Sequence, residues 1–77
     1  SIFYKGKANI DALTLLQQNV IVLLDQSGMV SSINGRKADL GKHEYWAFYI
    51  NGKYGNVGPA DYQTKNGDLI EWKVEKY

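Results

Sequence analysis

The chain has 77 residues, nine Lys+Arg against eight Asp+Glu for a net charge of +1, and no cysteine. A balance so near zero, with its charges scattered, leaves no electrostatic footprint for nucleic acid or an anionic membrane, and the missing thiols exclude disulfides and thiolate metal sites. A single domain over residues 1–77 is expected; at this size only ~60% of the unfolded surface is buried, so the core must come from the apolar 44% of the sequence, which includes six Tyr, two Phe and two Trp.

In chain order, Ile2-Phe3-Tyr4 reads as a short opening strand. A helix follows, with Asn9 as its N-cap, Asp11 in its first turn, and an apolar stripe of Ile10, Ala12, Leu13 and Leu16 before Gln17-Gln18-Asn19 ends it. So short a helix is marginal alone and must pack on a sheet. Val20 to Gln26 is predicted as a buried aliphatic strand, paired across Ser27-Gly28 with Met29 to Ile33. Val30 and Ile33 break strict alternation, which a bulge near Ser31-Ser32 would absorb. Arg36 to Glu44 reads as a polar loop.

Tyr45 to Ile50 is the clearest strand, with Trp46, Phe48 and Ile50 inward and Tyr45, Ala47 and Tyr49 outward. The last strand, Leu69 to Glu75, sets Ile70, Trp72 and Val74 inward against Glu71, Lys73 and Glu75. Ser27-Gly28, Asn34-Gly35, Asn51-Gly52 and Asn66-Gly67 separate the apolar runs, and Asn-Gly is a strong hairpin signal because a type I′ turn needs positive φ twice. The expected fold is α+β: one short helix packed on a mostly antiparallel sheet, β-grasp-like, with a small all-β barrel as the alternative. No apolar stretch approaches the ~20 residues needed to span a bilayer. The chain opens on Ser1 and its only methionine is Met29, so a fragment of a longer protein is expected.

Catalytic chemistry is scarce. The single histidine, His43, sits beside Glu44 in a polar segment, where neighbouring side chains diverge. One His, no Cys and dispersed carboxylates do not compose a metal site. Gly52-Lys53-Tyr54-Gly55-Asn56-Val57-Gly58 lacks the Ser/Thr and the helix of a phosphate-binding loop, and reads as a flexible connection or a ligand-contacting loop. Asp68 reads as the cap of its own turn, or as a ligand-facing carboxylate. No enzyme is expected.

Tyr45-Trp46-Ala47-Phe48-Tyr49-Ile50-Asn51-Gly52, then Gly58-Pro59-Ala60-Asp61-Tyr62, then Asn66-Gly67-Asp68-Leu69-Ile70-Glu71-Trp72 resemble the transcobalamin-like C-terminal domain. Asn9 to Leu13 and Met29 to Gly35 resemble that family's helix start and following hairpin, so the likeness runs from about Ala8 to Trp72. Bacterial versions of the domain are classed as of unknown function. The resemblance implies a β-grasp-like fold, an exported bacterial parent (a lipoprotein or wall-anchored protein at the cell surface) and a cobalamin- or corrinoid-type ligand, not covalently bound. Here no helical barrel accompanies the domain, and the shorter N-terminus leaves the first strand weak or its edge exposed. The residues expected to touch a ligand are Ser31 and Ser32 at the bulge, Tyr45 and Tyr49 on the outer strand face, and Lys53, Tyr54 and Asn56 in the glycine-rich loop. Trp46 and Trp72 are expected in the core. The function expected is thus a non-catalytic ligand-binding domain, monomeric, with a corrinoid as the implied small-molecule partner. The alternative is a protein-interaction or surface-display module.

Overall fold

The computed structural model describes residues 1–77. The elements run β1 (Ile2–Lys5), α1 (Ala12–Asn19), β2 (Val22–Leu24), β3 (Val30–Ile33), β4 (Arg36–Lys37), a 3₁₀ turn (Leu40–Lys42), β5 (Glu44–Ile50), β6 (Lys53–Tyr54) and β7 (Leu69–Lys76). They form two antiparallel sheets, one of four strands in the order β1-β7-β5-β6 and one of three in the order β2-β3-β4. The α+β class therefore holds, with the strands divided between two sheets rather than gathered in one.

The long β5–β7 ladder, Glu44↔Lys76 through Ile50↔Ile70, places Trp46 opposite Val74 and Phe48 opposite Trp72 on the inner face. Phe48 and Trp72 stack with ring centroids 5.2 Å apart. Trp46, Phe48, Ile70 and Trp72 join Tyr4, Ala12, Leu15, Leu16, Val30, Ile33 and Ala38 in one core, while Ile50 and Val74 are half-buried at its margin. Three elements meet at the Tyr4 hydroxyl, which accepts from Trp72 Nε1 at 2.9 Å and donates to the Ala12 carbonyl at 2.7 Å. Burial pushes that phenol up to about 12.

The helix starts two residues later than expected. Asn9 is left-handed (φ 67°), whereas Asp11 is extended and its carboxylate accepts from the Thr14 amide at 2.8 Å and the Thr14 hydroxyl at 2.6 Å. Asp11 is thus the N-cap, favoured because its two oxygens answer two donors at one helix end. Leu15, which the expected stripe omitted, is buried with Ala12 and Leu16, and Leu13 turns to the margin.

Val20 to Gln26 is not a buried strand. Only Val22–Leu24 is extended, and Ile21, Leu23 and Leu24 are 74%, 60% and 41% exposed. The reason is local: the Asp25 carboxylate accepts from Ser27 N, Ser27 Oγ and Met29 N, closing a turn that ends the strand early. β2 is also an edge strand, paired with β3 alone. The bulge is where the broken alternation put it, since pairing steps from Leu23↔Ser32 to Leu24↔Val30 and passes over Ser31. Asn34-Gly35 and Asn51-Gly52 both carry positive φ at both positions and close hairpins. Asn66-Gly67 leads into β7 but closes no hairpin, because β7 pairs with β1 and β5. The expected loop over Arg36–Glu44 contains β4 and the 3₁₀ turn, and Trp46 Nε1 donates across to the Arg36 carbonyl at 3.0 Å, tying the two sheets together. β1 forms, as an edge strand on β7.

Candidate functional site

β6 is only two residues long, because after Tyr54 the chain peels away from β5 through Gly55 to Asp61. Gly55 itself still donates its amide to the Phe48 carbonyl at 2.8 Å, and the position requires glycine, since a β-carbon there would lie 2.5 Å from the Phe48 ring. The peeled loop leaves a cleft of about 410 Å³ beside β5, walled by Leu13 of α1, Ser27 to Val30 at the β2–β3 turn, Tyr45, Trp46 and Phe48 of β5, and by Tyr54, Gly55 and Val57 to Asp61. Trp72 closes its floor, and ten of its sixteen lining residues are hydrophobic. Met29, Tyr54 and Val57 are 58%, 53% and 48% exposed there, apolar surface kept open at the mouth of a concave site. The Tyr45 and Tyr54 hydroxyls meet at 3.2 Å on its rim.

Of the residues expected to touch a ligand, Tyr45 and Tyr54 line this cleft. Tyr49 lies on the outer sheet face, where its hydroxyl donates to Glu75, its ring meets Tyr54 edge-on at 5.7 Å, and Lys73 Nζ sits 4.7 Å from its centroid. The Glu75 carboxylate, by accepting from the phenol, holds Tyr49 protonated up to about 12. Lys53 is exposed opposite Ile50, and Asn56 is exposed outside the cleft lining. Ser31 donates to the Leu23 carbonyl at 3.1 Å, and Ser32 is buried inside the small sheet. The seven residues are therefore not one site. Sequence reasoning missed Leu13, Met29, Val57 and Pro59; Met29 and Val57, each next to a glycine or one residue from it, were the available signal.

Asp68 is the cap of its turn and more. Buried, it accepts from the Lys65 amide at 3.0 Å, the Tyr62 hydroxyl at 2.7 Å and Asn51 Nδ2 at 3.0 Å. The Tyr62 hydroxyl, with Asn51, holds its carboxyl below the usual range. It faces protein, not the cleft. His43 and Glu44 diverge: the His43 ring packs edge-on against Tyr77 at 5.0 Å, while the Glu44 carboxylate takes the Asp39 amide at 2.9 Å and Arg36 at 3.2 Å. A second depression, about 700 Å³, lies over Arg36–Glu44; it is polar, with that ion pair in its wall. No group of three or more His, Cys, Asp or Glu side chains comes together to hold a metal ion. No helix is long and apolar enough to cross a membrane.

The fold is similar to a 1.30 Å crystal structure of a candidate metal-binding protein from Ruminococcus gnavus, with a TM-score of 0.72 at 18% identity over 96% of this chain and 79% of that one. At that identity the likeness establishes the fold alone. No curated protein matches the sequence. The family described as a domain of unknown function, DUF4430, matches residues 6–76, which take in the helix, every strand but β1 and the whole cleft, and the chain belongs to that family.

Proposed function

We propose that this is a non-catalytic ligand-binding domain of a bacterial cell-surface protein or lipoprotein, with the cleft beside β5 as its site and a bulky, low-charge compound of the corrinoid type as its small-molecule ligand. The observation that carries the reading is the cleft itself, a concave, mostly apolar space with exposed Met29, Tyr54 and Val57 at its mouth. Its one charged lining residue is Asp61. The corrinoid and the surface location rest on the resemblance to transcobalamin C-terminal domains. The Ruminococcus gnavus protein's metal-binding name finds no counterpart here, since one carboxylate is too few ligands for a metal cage.

Titration of cobinamide and cyanocobalamin, followed by amide NMR shifts and by Trp fluorescence, tests the assignment. Trp46 and Trp72 both line the cleft, so binding should perturb both indoles together with Tyr45, Tyr54 and Val57. Unmoved resonances at millimolar ligand would sink the corrinoid assignment.

A further inference from the structure

The β5 edge facing the cleft carries backbone groups that no part of the chain satisfies. The Asn51-Gly52 hairpin pairs Ile50 with Lys53, which turns the backbone of Ile50 toward β6. By the alternation of an antiparallel strand, Phe48 and Trp46 turn the same way. The pattern holds along the strand: the Phe48 carbonyl accepts from Gly55 N at 2.8 Å, and Glu44 N donates sideways to the Asp39 carbonyl at 3.0 Å. Between those two bonds, the Trp46 N–H, the Trp46 carbonyl and the Phe48 N–H have no partner, because β6 ends at Tyr54 before reaching them. A mid-strand edge with free donors and acceptors is a template for another strand.

We infer that the cleft receives an extended polypeptide segment that adds a short antiparallel strand to β5 at Trp46. One residue of such a segment would exchange both hydrogen bonds with Trp46, and the carbonyl of the residue two positions before it would take the Phe48 N–H. Side chains alternate along a strand, so one set would enter among Leu13, Phe48 and Val57 while the other met the Tyr45–Tyr54 rim. The charge of the site narrows the partner further. Asp61 is exposed, its carboxylate makes no hydrogen bond or ion pair within the chain, and it is the cleft's single charge, which suits an apolar segment carrying one Lys or Arg. This inference rests on the reading that the cleft is the binding site, and it gives that site a second occupant besides the small molecule, a polypeptide recognised through its backbone.

The probe is the blocked peptide acetyl-Val-Thr-Val-Lys-Val-amide, run beside the same peptide N-methylated at its central valine and beside cobinamide. With peptide at ten times its Kd, hydrogen exchange at the Trp46 and Phe48 amides should slow by roughly tenfold, and the N-methylated peptide should leave both unprotected. Asp61→Asn, a change at an exposed position, should weaken the lysine peptide by about threefold and leave a glutamine-containing version unchanged. Equal protection by the N-methylated peptide would overturn strand addition. Unmoved Trp46 and Phe48 amides at millimolar peptide, with cobinamide still shifting cleft residues, would overturn the inference and leave the binding site standing. No response to either ligand would overturn both.

Discussion

The two sheets of this domain both carry apolar side chains, but in opposite circumstances. The four-stranded sheet buries its inner face under α1, with Ile70 and Trp72 at 0% and 1% exposure, and its ladders join residues some seventy positions apart, such as Ile2 and Trp72. The three-stranded sheet is a local meander from Val22 to Lys37; Val30 and Ile33 of β3 are buried in the core, and Val22 of β2 is half-buried against it. Leu23 and Leu24 are as apolar as anything in β7, yet they face outward. Apolar character therefore does not by itself place a side chain inside; a covering layer does.

Substitutions chosen from the two sheets test that contrast directly. The largest effect is expected from Trp72→Ala, at ~3–5 kcal/mol, enough to unfold a domain this small; a cooperative thermal transition near the parent's would show that the inner face is misassigned. Tyr4→Phe leaves the ring but strips the buried Trp72 Nε1 and Ala12 carbonyl of their shared partner. It should cost ~1–3 kcal/mol, read as a lowered urea midpoint with an unchanged m-value. Asp68 supplies a pH test. Its folded pKa lies below its ordinary value, so its contribution is present above the unfolded pKa of ~3.9 and is lost as pH falls through the lowered folded one. Asp68→Asn should therefore flatten the acid limb of the stability profile below about pH 4, measured as urea midpoints across pH. The smallest effect is expected from Leu23→Ser on the outward side of β2, within ~0.5 kcal/mol. A loss as large as that of Tyr4→Phe would mean that β2 is covered in solution.

Much of the larger sheet was legible in the sequence, because its signals are strong and local. Strict alternation over Tyr45 to Ile50 and Leu69 to Glu75 identified the inner residues, and the paired positive φ demanded by Asn51-Gly52 fixed that hairpin. Asp68 as the cap of its turn was also readable. The smaller sheet was less so. The aliphatic run from Val20 reads as a buried strand until one sees Asp25 closing a turn with its own side chain, and a helix cap at Asn9 looks as good as one at Asp11 until Asn9 takes up a left-handed conformation. The cleft was least legible. Tyr45 and Tyr54 were found because tyrosine is a conspicuous contact residue. Tyr49 shares their chemistry and their face of the sheet but is tied to Glu75 and stands outside the cleft lining, and Leu13, Met29 and Val57 look like ordinary core residues in one dimension.

The sequence by itself determined the α+β class, the two central strands, their inward faces and the hairpins at Asn34-Gly35 and Asn51-Gly52, since each depends on periodicity or on backbone conformations that few residues adopt. Only the tertiary structure decided the division into two sheets, the exposure of β2 and the position of the cleft. Those depend on which layer covers which face, on a β6 that stops at Tyr54, and on a Gly55 that passes close to Phe48. Close approach between segments is a property of the assembled chain, and no local pattern encodes it.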